Sequence, residues 1–270
     1  MTKYDLTKFN INKNDFEEYK KVRKYETRKV NSRFPNDIFA IDLIDMKNKE
    51  HKNFNYIIIA VDVFSRKIFY DIINYKNINA IKDGLDTIFE KSKHTPNNIW
   101  TDGEGAIHSK EMQNYLTTKY KINTYQTYGK VHNPIAERAI RTIKELSEKL
   151  SEKTGRSWYY LIGQIVDVYN ETKHNSINDT PNNAYENNSF KALAENIKNN
   201  NEKINETHKY SVGDLVKVQR KKGIHEKGYT KTFNPTVRKI TKVTNTNPTS
   251  YKIEGLKGAF YDNQIIKIIK

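Results

Sequence analysis

Three acidic residues sit where a carboxylate is either costly or placed for use. Asp42 interrupts the apolar, strand-like run DIFAIDLIDM, and a carboxylate in the middle of such a run is expensive unless a metal or cation compensates it. Asp102 ends a second short apolar run, NIWTDG, where the following Gly103 leaves it free to point at a ligand. Glu137 lies in NPIAERAIRTIKELSEK, with Arg141 and Lys144 following at steps of four and three. Taken alone, Glu137 and Arg141 read as a surface ion pair worth a few tenths of a kcal/mol. Taken together, Asp42, Asp102 and Glu137 could meet across two neighbouring strands and a helix. Three carboxylates at one point repel each other unless a divalent metal neutralises them.

The surrounding texture supplies the elements that such a meeting needs. Asn133 followed by Pro134 reads as a helix cap and first turn. Ile140, Ile143 and Leu146, with Ala136 and Ala139 beside them, give that helix one apolar stripe. Upstream, IFAIDLIDM reads as a first strand. YIIIAVDVFSRKIFYDII reads as two more, about 56–63 and 67–73, with a hairpin turn near Ser65 and Arg66. The apolar run 57–61 fits a strand buried on both faces. Asp62, just before the turn, reads as a turn former. Helical spacing covers 77–93, NIWTDG is a fourth strand, 109–120 a second helix and INTYQTY a fifth strand. A helix over 157–174 follows, with Trp158, Leu161, Ile165 and Tyr169 as its stripe. This order predicts a layered α/β domain with a mixed sheet over 36–188. Residues 189–206, rich in Asn and Lys, read as a helical or flexible linker with too little apolar surface for a core. From 207 onward, DLVKVQR, VRKITKV, SYKIEG and AFYDNQIIKII alternate between turn signals, which predicts a small β-barrel or SH3-like module.

Charge is segregated along the chain. Residues 1–35 carry 10 Lys/Arg against 5 Asp/Glu, and 207–270 carry 14 against 4. The whole chain is +15, so the middle is neutral. A neutral core with basic flanks points to a polyanion bound by the flanks. The chain contains no Cys, which excludes a disulfide framework or a Cys-containing zinc site. No run of 18 apolar residues and no signal-like apolar start is present, so a soluble intracellular protein without membrane partners is expected. The first 35 residues are polar and basic, and are expected to order on a partner.

The three acids, in these contexts, resemble the D,D,E core of retroviral-type integrases on a ribonuclease H-like fold. FPNDIFAIDLIDM, VDVFSR, WTDGEGAIHS, NPIAERAIRTIK and YNETKHNSINDTPNNAY are all similar to the integrase pattern. The tail sequences YSVGDLVKVQRKKGIHEKGYT and NTNPTSYKIEGLKGAFYDNQI resemble the C-terminal chromo/SH3-like module of integrases from Polinton or Maverick transposons and virophages. The resemblance implies a ribonuclease H-like core with helices on both faces of a mixed sheet. It implies 3′-end processing and strand transfer of element DNA. Asp42 would bridge two Mg2+ or Mn2+ ions about 4 Å apart, with Asp102 completing one site and Glu137 the other. Hard oxygen ligands suit these metals. Asn133, Arg138, Arg141 and Lys144 are the candidate DNA contacts of the core, although Asn133 reads equally as only the helix cap. Arg220, Lys221 and Lys222 are those of the tail.

The implied partners are double-stranded DNA at element ends and target, chromatin as a second candidate, and further copies of the chain as a dimer or tetramer. The implied location is a host nucleus, a virion or a viral factory. The chain departs from many relatives in one respect: no Cys and no paired His precede Asp37, so a His–His–Cys–Cys zinc module is not encoded there. Two nearby acids are decoys. Asp45, three residues beyond Asp42, falls on the opposite strand face, and Glu104 sits in the loop after Asp102. A binding protein that kept the fold and holds DNA or chromatin without catalysis is the alternative. A chromatin reader would need an aromatic cage, for which Tyr210, Tyr229, Phe233 and Tyr251 are available. Ribonuclease H itself usually has a fourth carboxylate and does not explain the basic tail.

Overall fold

The computed structural model of the chain describes residues 18–19, 22, 30, 32–47, 51, 53–101, 107, 109–126, 133–198, 208–220, 230–246 and 248–268. Two compact units divide the chain. One is Lys29–Asn201, and the other joins Met1–Arg28 to Glu202–Lys270.

The first unit is built on strands β1 (Ile38–Asp45), β2 (Tyr56–Asp62), β3 (Ile68–Ile73), β4 (Asn98–Thr101) and β5 (Asn123–Gln126). They form one sheet in the order β3-β2-β1-β4-β5. The first three are antiparallel neighbours, while β4 runs parallel to β1 and β5 parallel to β4. All seven residues of β2 are buried, as the apolar run 57–61 predicts.

Helices α1 (Ile78–Ser92) and α2 (Lys110–Tyr120) cover one face. Helices α3 (Pro134–Thr154) and α4 (Trp158–Glu171) cover the other. Period-two alternation sorts β1 between two cores. Phe39 and Ile41 join Ile58, Ala60, Leu85, Ile88 and Leu116 on the first face. Ala40 and Ile44 join Ile57, Ile59, Ala136, Ala139, Ile143, Leu161 and Ile165 on the second. Each of α1 to α4 starts at a polar cap whose side chain accepts a hydrogen bond from a first-turn N–H: Asn77, Ser109, Asn133 and Ser157. α3 stops at Gly155, which takes the left-handed conformation at φ 67°.

Two short helices, α5 (Pro181–Glu186) and α6 (Phe190–Lys198), close the unit. The Asn/Lys-rich segment read as a linker over 189–206 therefore begins as a packed helix. Ala192 is buried with Phe64, Ile177 and Ala184, and the Asn196 amide donates to the Phe64 carbonyl at 3.2 Å. Only one narrow face of α6 is used, which is too little apolar surface for a periodicity argument to detect.

In the second unit, β6 (Leu215–Gln219), β7 (Phe233–Thr244), β8 (Ser250–Ile253), β9 (Phe260–Tyr261) and β10 (Ile265–Lys267) form an antiparallel sheet ordered β10-β6-β7-β8-β9. Its core holds Tyr210, Val216, Val218, Ile240, Tyr251, Ile253 and Ile265. β7 begins four residues earlier than the alternation of VRKITKV suggests. The register slips between Lys217 and Gln219, so that Gln219 pairs with Phe233, and Asn234–Pro235–Thr236 are accommodated in the irregularity. Pro is tolerated at such an irregularity because no ladder bond is required of it.

Candidate active site

Asp42 occupies the middle of β1 on the same face as Ala40 and Ile44, opposite Ile59 of β2. This is the face that α3 covers. Asp42 is half-buried, and its Oδ1 accepts the backbone N–H of Leu43 at 2.7 Å. Asp45 is on the other face, exposed, with its Oδ1 accepting from the Lys47 N–H at 2.9 Å. The alternation argument against it as a partner of Asp42 is thus met in the structure.

Glu137 stands exposed in the first turn of α3. The helix end that carries it is fixed by Asn133. The Asn133 side chain is 1% exposed. Its oxygen accepts the Ala136 N–H at 3.2 Å, and its amide reaches the Trp100 carbonyl at 3.4 Å. Trp100 is level with Ala40 in the parallel β1–β4 register. Ala40 precedes Asp42 by two residues, roughly 7 Å along the strand. One buried side chain thus ties the start of α3 to the strand beside β1, close to the level of Asp42. Asn133 is the helix cap, one of its two expected roles.

Asp102 and Glu104 lie outside the described residues, as do Lys221 and Lys222. Among the described residues no three His, Cys, Asp or Glu side chains group to hold a metal. Asp42 on β1 and Glu137 at the start of α3 offer carboxylate oxygens. They have the hardness that Mg2+ or Mn2+ requires. Arg138, Arg141 and Lys144 are exposed on α3. Arg220, at the end of β6, directs its Nε to the Lys231 carbonyl.

A second buried group braces the same layer. Asp62 is fully buried and accepts three hydrogen bonds: from the Asn36 N–H at 2.9 Å, the Ser65 N–H at 2.7 Å and the Ser65 hydroxyl at 2.6 Å. It holds the β2–β3 turn, as its place in VDVFSR suggests. Burial pushes its carboxyl up to about 6, against those donors and the nearby Arg66 guanidinium. Arg66 has φ 67° and donates to the Val63 carbonyl. Burial lowers the pKa of Arg66, and the Asp62 charge opposes that shift. The positive charges of Arg66 and Arg138 also act on Tyr169, whose hydroxyl is pushed up to about 12 by burial. His174 stacks edge-on against Tyr169 at 4.5 Å. Its Nε2 lies 3.2 Å from the Tyr169 carbonyl, and burial holds its pKa below the ordinary value. The sequence marks Asp62 but not this Arg66–Tyr169–His174 grouping, because Arg66 lies far along the chain from Tyr169 and His174.

The aromatic residues considered for a cage are core residues instead. Tyr210, Phe233 and Tyr251 are 5%, 1% and 0% exposed, and Tyr229 lies outside the described residues. Tyr210 and Tyr251 pack into the β-module core among Val216, Val218, Ile240, Ile253 and Ile265.

A chain of the simian T-cell lymphotropic virus intasome, solved with the B56 gamma regulatory subunit of PP2A, superposes with a TM-score of 0.67. The match covers 93% of this chain and 84% of that one at 14% identity. The fold is that of the retroviral integrases. The HTLV-2 integrase catalytic core domain, solved with magnesium in trimeric and dimeric forms, aligns over 55% of this chain. Identities are 20% and 19%, and TM-scores 0.46 and 0.45. In sequence, the chain is 24% identical over 182 residues to a putative uncharacterized transposon-derived protein, F54H12.3, of Caenorhabditis elegans. The match covers 67% of this chain and 60% of that protein's length. No protein-family model matches the chain.

Proposed function

We propose that this protein is a DNA integrase or transposase that processes the 3′ ends of element DNA and joins them to target DNA. The observation that carries the reading is the pin at Asn133. In an integrase-like fold spanning most of the chain, it fixes the helix end bearing Glu137 to the strand neighbouring Asp42. Asp42, Asp102 and Glu137 would hold two divalent metal ions. The chemistry supplied by bound Mg2+ or Mn2+ is activation of the attacking oxygen and stabilisation of the leaving one.

In the processing step a water oxygen bonds to phosphorus as the bond to the 3′ oxygen breaks, and the water's proton ends on that oxygen. In the joining step the freed 3′-OH attacks a target phosphorus, and the displaced target 3′ oxygen takes the proton. Arg141 and Lys144, exposed one and two turns beyond Glu137, are placed to bind the donor backbone phosphates. Asn133 orients the helix and touches no substrate. A chain that joins two DNA ends to one target would work as a dimer or tetramer on DNA, inside a host nucleus or a viral assembly. Kinship with Polinton and virophage elements belongs to the same proposal and rests on the tail motifs.

The test is an end-joining assay with a terminal duplex, Mg2+ and purified variants. Asp42→Asn, Asp102→Asn and Glu137→Gln should each reduce joining by at least a hundredfold while DNA affinity changes less than about threefold, because metal ligands act as a unit. Joining near the wild-type rate by any one of them would sink the assignment. DNA binding without joining by the wild type would favour the non-catalytic reading.

A further inference from the structure

The second unit contains a clamp that the proposed function does not use. The carboxylate of Glu18 lies between two ammonium groups from separate parts of the β-module. Lys217, in β6, pairs with Oε1, and Lys231, just before β7, pairs with Oε2 at 2.6 Å. The backbone closes the contact, since the Thr232 N–H donates to the Glu18 carbonyl at 2.7 Å. Tyr19 lies beneath Lys231, 5.9 Å from its Nζ. The Glu18 side chain is 14% exposed, whereas Lys231 is 45% exposed and Lys217 23%. The two lysines hold the Glu18 carboxyl below its ordinary range.

Two ammonium groups converging on one oxyanion is also the arrangement that would hold a phosphate. Lys217 lies beside the register slip where Gln219 meets Phe233, and Lys231 lies two residues before Phe233. The two lysines therefore flank the irregular end of the β6–β7 pair. A residue far away in sequence fills the space between them. Glu18 belongs to a segment that is otherwise basic, with 10 Lys/Arg against 5 Asp/Glu over residues 1–35.

We propose that Lys217 and Lys231 form a backbone-phosphate clamp which Glu18 occupies as an internal competitor in the DNA-free protein. DNA binding then exchanges a carboxylate for a phosphate, and the Glu18 side chain leaves the two lysines. This rests on the reading of the protein as a DNA-binding enzyme, and adds to it a gate on the module's affinity.

The test measures affinity of the full chain for a duplex across a series of salt concentrations. Glu18→Gln should bind several-fold more tightly at low salt, because two lysines no longer need to leave a carboxylate. Its slope of log affinity against log salt should steepen by about one to two units. Lys217→Gln with Lys231→Gln should weaken binding only slightly in the wild type. In the Glu18→Gln background the same pair should remove the whole gain. Thermal unfolding of every variant separates this from damage to the module. A less stable Glu18→Gln protein that still binds more tightly supports the clamp. Unchanged or weaker binding by folded Glu18→Gln overturns it, as does equal loss on removing the lysines in both backgrounds. The end-joining assay with Glu137→Gln keeps the outcomes apart: if that variant fails to join while Glu18→Gln binds as the wild type does, only the clamp is lost.

Discussion

At the residue scale, the fully buried carboxylate among the described residues of unit 29–201 is Asp62, whereas Asp42 is only half-buried. Asp62 is buried with three donors around it and a carboxyl pushed up to about 6. A carboxyl with a folded pKa above its unfolded value binds its proton more tightly in the native state. Its contribution to stability is full below the unfolded value near 3.8 and is lost as pH rises through about 6. Asp62→Asn keeps the shape and abolishes this titration, although the new amide faces the Ser65 donors and costs stability at every pH. The expected outcome, from urea unfolding between pH 4 and 7, is a wild-type advantage over Asp62→Asn that is largest at pH 4. It should shrink by on the order of 2–3 kcal/mol toward pH 7. An advantage that instead grows with pH would mean that the three donors hold Asp62 ionised throughout.

At the element scale, α3 does two things with its first turn. Its cap satisfies an orphan N–H, as any Asn, Ser or Asp would. The amide half of Asn133 also donates to β4 at the Trp100 carbonyl, which an Asp carboxylate cannot do. These two roles separate by substitution. Asn133→Ala loses both and should cost about 1–2 kcal/mol of stability. Asn133→Asp keeps the cap but sets a buried carboxylate against the Trp100 carbonyl, so it should cost at least as much as Asn133→Ala. Both should slow end joining at least tenfold with DNA affinity nearly unchanged, since Glu137 rides on the element that loosens. If Asn133→Asp joins at the wild-type rate, the bond to Trp100 does not position Glu137.

The same helix shows what a sequence can disclose. Asn133, Pro134 and the stripe of Ala136, Ala139 and Ile143 announce its start and its buried face. Asp42 stands out because strand neighbours on both sides are apolar. The bond from Asn133 to Trp100 crosses 33 residues and leaves no periodic trace. The seating of α6 was likewise hidden, since one Ala and one Asn do the packing. The early start of β7 was masked by Pro235, which normally argues against a strand and is accommodated here by the register slip.

At the scale of the whole molecule, the segregation of charge along the sequence becomes a division between folded units. Residues 1–28 and 202–270 together carry 23 Lys/Arg against 11 Asp/Glu, a net +12 of the chain's +15. The unit 29–201 holds Asp42 and Glu137, three separate apolar clusters and most of the buried side chains. A unit with its own core is expected to fold alone, and the fragment 29–201 should unfold in one cooperative transition. It should also bind DNA more weakly than the full chain, with a shallower dependence on salt, because fewer phosphates are neutralised and fewer counterions released. If the basic unit contacts on the order of four to six phosphates, the slopes of log affinity against log salt should differ by roughly four to five units. Measuring both proteins on the same duplex over one salt range decides the matter. Equal slopes would mean that the +12 does not touch DNA. The basic unit would then have to serve a protein contact, and the lysines that hold Glu18 would be structural.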